Sequence, residues 1–293
     1  MPEYLQSNYN LEDPGLVSII DDLPLWSAPF GIRLLDTVNY RKNITALDIG
    51  FGFGFPLVEL AMRLGASSKV YGIDPGKTGL ERTGLKLKKA GIKNVELVQG
   101  HAEKMPFDDS MFDLIVSNNG INNVMDVSRT FSECNRVSKI GAQFVFTYNT
   151  DKTFIEFYDM FREVLRENGL RELEKNIDSH ISSKRKPLSE FKKLLSGSGF
   201  KIRRVYRDEF RYKFSDGSSM LNHFFMKLAF LPPWKSIVPE HRLANIFGSI
   251  EEKINRRAMD EGGFQMSVPC VTIDCKKAKD YPGRASVASL FFI

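Results

Sequence analysis

Ala46-Leu47-Asp48-Ile49-Gly50-Phe51-Gly52-Phe53-Gly54-Phe55-Pro56 decides how the rest of the chain is read. An apolar strand runs into glycines at alternate positions and passes at once into a helix, with Leu57, Leu60, Ala61 and Leu64 on one face. Glycines so placed let the backbone pass close beneath a ligand that side chains would exclude. Pro56 suits the helix start, where its missing N–H does no harm. Asp74 ends the next β-rich run, twenty residues after Gly54, where a carboxylate can accept hydrogen bonds from ribose hydroxyls. Loop and carboxylate together predict a nucleotide-like ligand.

Outward from this stretch, short β-rich runs at 44–49, 70–74, 95–99, 114–117 and 142–148 alternate with helical ones, the pattern of repeated βαβ units. One helix ends at Gly91, a C-cap glycine. Another carries Val127, Phe131, Cys134 and Val137 at helical spacing, which makes Cys134 a core residue. After residue 150 come helices at 154–166, 170–177 and 188–195, a strand from 200 to about 212, a Phe-rich helical region at 217–260 and a last strand at 268–275. The fold expected is α/β: a Rossmann-like, doubly wound, mostly parallel seven-stranded sheet with a helical cap insertion. Its segments are an N-terminal helical lid (1–43), a nucleotide-binding core (44–149) and a helical insertion (150–186). The last helix and sixth strand of the core (187–214), a helical substrate cap (215–266), the seventh strand (267–276) and a tail (277–293) complete it.

The chain has 293 residues, 42% of them hydrophobic and 26% charged, a globular composition that excludes disordered and collagenous classes. No apolar run is long enough to span a membrane, and the start lacks the shape of a secretory signal, so a cytoplasmic protein without integral membrane contact is expected. Cys134, Cys270 and Cys275 are too scattered for a disulfide framework and show no zinc-ligand spacing, so no metal is expected. The net charge of +5 is uneven: residues 184–213 hold eleven basic and three acidic side chains. That stretch reads as a solvated face, because no aromatic stacking pattern interleaves the charges.

The loop Asp48, Gly50, Gly52, Gly54 resembles the D-x-G-x-G-x-G motif of class I S-adenosylmethionine-dependent methyltransferases, and fits the dinucleotide G-x-G-x-x-G spacing poorly. Gly100-His101-Ala102-Glu103-Lys104-Met105-Pro106-Phe107 is similar to that family's G-D-A-E-x-L-P-F segment, with His101 in place of Asp. Phe112 to Asn122 resembles its fourth motif. The likeness covers about residues 44–148 and is nearest to the small-molecule branch containing quinone C-methyltransferases. It implies S-adenosylmethionine as cofactor, S-adenosylhomocysteine as product, and cofactor contacts from Asp48, Gly50, Gly52, Gly54, Asp74, Pro75, His101, Ala102, Glu103, Asn118 and Asn119. Trp26, in the stretch Leu23 to Gly31 that precedes the first strand, is the candidate for closing that side.

Methyl transfer needs alignment and exclusion of water, with a base only if the acceptor must lose a proton. His180 and His223, in the cap segments, and Tyr148, past the fifth strand, are the catalytic candidates. The aromatic cap residues (Phe210, Tyr212, Phe224 and Trp234 among them) suit an apolar or aromatic small-molecule acceptor, or else form the cap's own core. An Asn-Pro-Pro-Tyr motif for flipped-out bases is absent after the fourth strand, which argues against a nucleic-acid acceptor. Leu290 to Ile293 could dock on a second copy in a homodimer. A non-catalytic cofactor-binding protein and an NAD-dependent oxidoreductase are the competing readings.

Overall fold

The computed structural model describes residues 2–6, 9–10, 12–21 and 25–278; Leu23, Pro24 and the apolar end Leu290 to Ile293 lie outside them. The chain begins with α1 (Glu3–Gln6), α2 (Pro14–Asp21) and α3 (Ser27–Thr37), then β1 (Thr45–Ile49), α4 (Leu57–Leu64), β2 (Lys69–Asp74), α5 (Lys77–Lys89) and β3 (Val95–Gln99). Next come β4 (Phe112–Asn118), α6 (Val127–Val137), β5 (Ser138–Asn149), α7 (Ile155–Glu167), α8 (Glu174–Lys184) and α9 (Leu188–Gly197). It closes with β6 (Phe200–Phe214), α10 (Gly217–Asn222), α11 (Leu231–Lys235), α12 (Leu243–Glu261) and β7 (Phe264–Lys277).

The seven strands form one sheet in the order β3-β2-β1-β4-β5-β7-β6. β1 pairs in parallel with β2 and β4, β2 with β3, and β4 with β5. β6 and β7 run in opposite directions, since Ala278 N–H donates to the Gly199 carbonyl while Cys270 Sγ meets the Asp208 carbonyl. The central strands are apolar on both sides, as a parallel sheet covered on two faces demands. On one face Leu34 and Leu35 of α3 and Leu57, Leu60, Ala61 and Leu64 of α4 cover Ala46, Val70, Val116 and Val145. On the other, Phe131, Cys134 and Val137 of α6 and Phe191 and Leu195 of α9 cover Ile115, Phe144 and Phe146. Each such aromatic side chain stabilises the fold by roughly 1.5–3 kcal/mol. β6 is a sheet edge, and the basic residues Lys201, Arg203, Arg204, Arg207, Arg211 and Lys213 are exposed along it, a charge placement that blunts edge-to-edge pairing.

The chain divides into two compact units. The sheet unit comprises the described residues within 21–148, 187–207 and 271–278; the helical unit comprises those within 2–20, 149–186 and 208–270. Within the helical unit, Tyr4 of α1 donates to Glu251 of α12 (2.9 Å), and Trp234 of α11 stacks on Phe157 of α7 with ring centres 3.9 Å apart. The region expected as one helical run, 217–260, is broken into α10, a π-helical turn at Met226–Phe230, α11 and α12. Pro232 and Pro233 fall in the first turn of α11, where the lost donors are harmless, and the chain turns at Ser236 and Ile237 before α12.

Candidate active site

At the carboxyl ends of β1, β2 and β4 the sheet unit opens a cleft of about 370 Å³. The glycine loop forms its floor. Gly50 N–H donates to the Ile73 carbonyl (2.8 Å), Gly54 N–H to the Phe51 carbonyl (2.9 Å), and Lys86 Nζ to the Phe53 carbonyl (2.8 Å). Gly52 has a left-handed φ of +53°, which favours glycine, and a side chain there would meet no protein atom within 4 Å. The space above that residue is therefore open to a ligand. Helix α5 lies close beneath: a Cβ on Gly79 would stand 2.6 Å from the Gly52 carbonyl oxygen.

Asp74 ties the loop to the second strand. Its Oδ2 accepts the Gly52 N–H (2.9 Å) and its Oδ1 accepts the Gly76 N–H (2.8 Å). A carboxylate offers about four acceptor positions, so two remain after these bonds. Asp48 differs: it is fully buried, and neither carboxylate oxygen has a hydrogen-bond partner. Burial, and then the charge of Asp74, push its carboxyl up to about 8.

Of the residues read from sequence as cofactor contacts, Gly50, Gly52, Asp74, Pro75, His101, Ala102 and Glu103 line the cleft. Gly54, Asp48, Asn118, Asn119 and Trp26 are not in its lining. Gly54 turns against Thr83 of α5. The Asn118 amide is taken up within the protein, donating to the Ser27 carbonyl (3.0 Å) and accepting from Thr147 Oγ1 (2.9 Å), so it pins α3 to β4. Asn119 accepts from Asn122 Nδ2 (3.1 Å), and the Trp26 ring rests on Phe30 at 5.5 Å. Tyr148 is wholly buried against Phe191 at 4.4 Å, on the same face of β5 as Phe144 and Phe146. Residue alternation turns it into the core, where the reading from sequence had it facing an acceptor. His180 and His223 belong to the helical unit, both half-buried.

Sequence reading missed Val124 and Met125 on the far wall. Glu103 sets their position, its carboxylate accepting the Met125 N–H at 2.7 Å. Asp126, which caps α6 through the Arg129 N–H (2.9 Å), was the local signal that a structured turn precedes that helix. A larger open hollow of about 570 Å³ lies at the opposite strand ends, lined by residues 65–69 and 91–94 among others. It has no carboxylate and no glycine loop, and ligands of open α/β sheets sit at the carboxyl edge.

Residues 47–146 match the family described as a methyltransferase domain. A demethylmenaquinone methyltransferase from Anoxybacillus flavithermus (strain DSM 21510 / WK1) is 33% identical over 129 residues, 44% of this chain and 54% of that protein. One from Staphylococcus aureus (strain MRSA252) is 35% identical, over 44% of this chain and 53% of its own. The chain thus spans about half the length of these relatives. Among solved structures, the YcgJ protein from Bacillus subtilis superposes with a TM-score of 0.58 at 18% identity, over 86% of this chain and 99% of that one. Geranyl diphosphate C-methyltransferase from Streptomyces coelicolor A3(2), in complex with Mg2+, geranyl diphosphate and S-adenosyl-L-homocysteine, gives 0.52 at 16% identity, over 94% and 88%. Both share the fold.

Proposed function

We propose that this chain, whose residues 47–146 are a methyltransferase domain related to those of quinone C-methyltransferases, binds S-adenosylmethionine in the cleft and passes its methyl group to a small-molecule acceptor. One observation carries the reading: the glycine loop and Asp74 belong to a single cleft and are joined there by the Gly52–Asp74 hydrogen bond of 2.9 Å. One feature of the chain fits the cofactor: the open space over Gly52 suits a ligand lying on bare backbone.

When bound, the cofactor supplies an electrophilic methyl on a sulfonium. The work left to the protein is binding and alignment. Asp74 holds the ribose with the acceptor positions its backbone bonds leave unused, while Pro75 and Ala102 bound the adenine side of the cleft. The acceptor we propose is apolar or aromatic, of the quinol kind that the curated relatives' names indicate, with the helical segments 150–186 and 215–266 carrying selectivity. For an acceptor that must lose a proton, His223 is the favoured base. Burial lowers its pKa and keeps the ring neutral, and Nδ1 has no hydrogen-bond partner. His180 is lowered too, by burial first and then by Arg185 and Lys184, whose charges oppose its taking up a proton.

Calorimetry with S-adenosylmethionine, S-adenosylhomocysteine and NAD tests the reading. The two sulfur ligands should bind and NAD should not, and Asp74→Ala should weaken S-adenosylmethionine by at least about tenfold, or ~1.4 kcal/mol. An unchanged affinity removes Asp74 from the site. Turnover against quinols and phenols, wild type beside His223→Gln, then separates an enzyme from a protein that only binds the cofactor.

A further inference from the structure

We propose that the helical unit holds a binding site for a small oxyanion, a carboxylate or phosphate group, centred on Arg185. None of its residues lines the cofactor cleft, and the inference does not depend on methyl transfer.

Arg185 follows the last residue of α8 and is only 6% exposed. Among the described residues its side chain makes one hydrogen bond, from Nη1 to the Thr153 carbonyl at 3.0 Å, and no Asp or Glu oxygen lies within ion-pair distance. A guanidinium carries five N–H donors, and one of them has a protein acceptor among the described residues. The Thr153 carbonyl is a neutral acceptor, and the ring of Tyr158 lies 5.7 Å from the guanidinium carbon. No side-chain anion is paired with the charge among the described residues, and a bound oxyanion would supply one.

The surroundings supply further donors. The His180 ring lies 6.0 Å from the same Tyr158 ring, and among the described residues neither of its nitrogens is hydrogen-bonded. The Tyr158 hydroxyl accepts from Trp234 Nε1 at 3.1 Å, and its own proton has no acceptor among the described residues. Along these helices Asp159 and Asp178 are exposed and paired with Arg162 at 3.2 and 2.7 Å, and the half-buried Glu156 carboxylate accepts from the Ser267 N–H and Oγ. Lys184 adds a further positive charge next to Arg185. A planar fork of N–H groups matches the two oxygens of a carboxylate or phosphate. If Arg185 served only as a strut for the Thr153 turn, a neutral donor would do as well without the cost of burying charge.

The test is thermal unfolding of the full chain in inorganic phosphate and, separately, in benzoate, each against sodium chloride at the same ionic strength. A saturable rise in midpoint with either supports the site, and whichever binds more tightly identifies the group. Arg185→Met should weaken that binding by at least about tenfold, while its midpoint without anion stays equal to wild type or rises, because an unpaired buried charge has been replaced by an apolar chain. Arg185→Lys keeps the charge and loses the fork, and should bind with intermediate affinity. A readout on the wild type alone guards against a variant that does not fold: the His180 ring-proton resonance should move saturably with the anion while that of His241 stays still. No saturable effect of either anion on the wild type, an equal effect on Arg185→Met, or an unmoved His180 resonance overturns the proposal.

Discussion

Asp48 concentrates the tension of the site in one side chain. Its carboxyl is buried without a partner and held up at about 8 by burial and by Asp74. Because the folded state keeps this proton more tightly than the unfolded chain does, the linked stability is fully present below the ordinary carboxylate range and is lost as pH rises toward about 8. Asp48→Asn, neutral at every pH, should therefore become progressively more stable than wild type between pH 5 and pH 8, the gap widening by at least about 1 kcal/mol. A pH series of thermal unfolding on the ligand-free proteins reads this directly; parallel curves would show that Asp48 is ionised throughout. The motif placed Asp48 at the end of β1, and that much was legible. Its lack of a partner was not, since it depends on where Asp74 spends its oxygens. Asn118 shows the same limit. Its position at the β4 end is local, whereas its hydrogen bonds to Ser27 and Thr147 come from segments 91 and 29 residues away.

At the scale of elements, α5 and the glycine loop act as one piece. Gly79, in the first turn of α5, lets the helix approach the Gly52 carbonyl so closely that a Cβ would overlap it at 2.6 Å. Gly79→Ala should push the two apart, costing about 1–3 kcal/mol of stability as overpacking does and weakening S-adenosylmethionine binding at the same time. Chemical denaturation and calorimetry on this variant check both, and an unaffected loop would appear as full affinity with native stability. Elements of strong periodicity were readable from sequence: β3 has the bounds its β-rich run predicts, and α6 buries Val127, Phe131, Cys134 and Val137 together. Burial pushes the Cys134 thiol up, in keeping with a core residue. The region 217–260 was less readable, because a π-helical turn leaves the same apolar spacing as an α-helix over so few residues.

For the whole molecule, the strand order β3-β2-β1-β4-β5-β7-β6 puts the glycine loop and Asp74 on neighbouring central strands, so both reach the same carboxyl edge. The alternation of strand and helix made the parallel half of this sheet legible. The division into two units was not, because residues far apart in the chain build each of them. The eleven basic side chains of residues 184–213 also separate at this scale. Those of β6 stand exposed along the sheet edge, while Arg185 is buried in the helical unit and takes a different chemical role. Crystals grown with S-adenosylhomocysteine test the central claim most directly. The account predicts density across the cleft, with ribose hydroxyls about 3 Å from the Asp74 carboxylate and the adenine beside Ala102. Density in the hollow at residues 65–69, or none between Gly52 and Asp74 at saturating ligand, would contradict it.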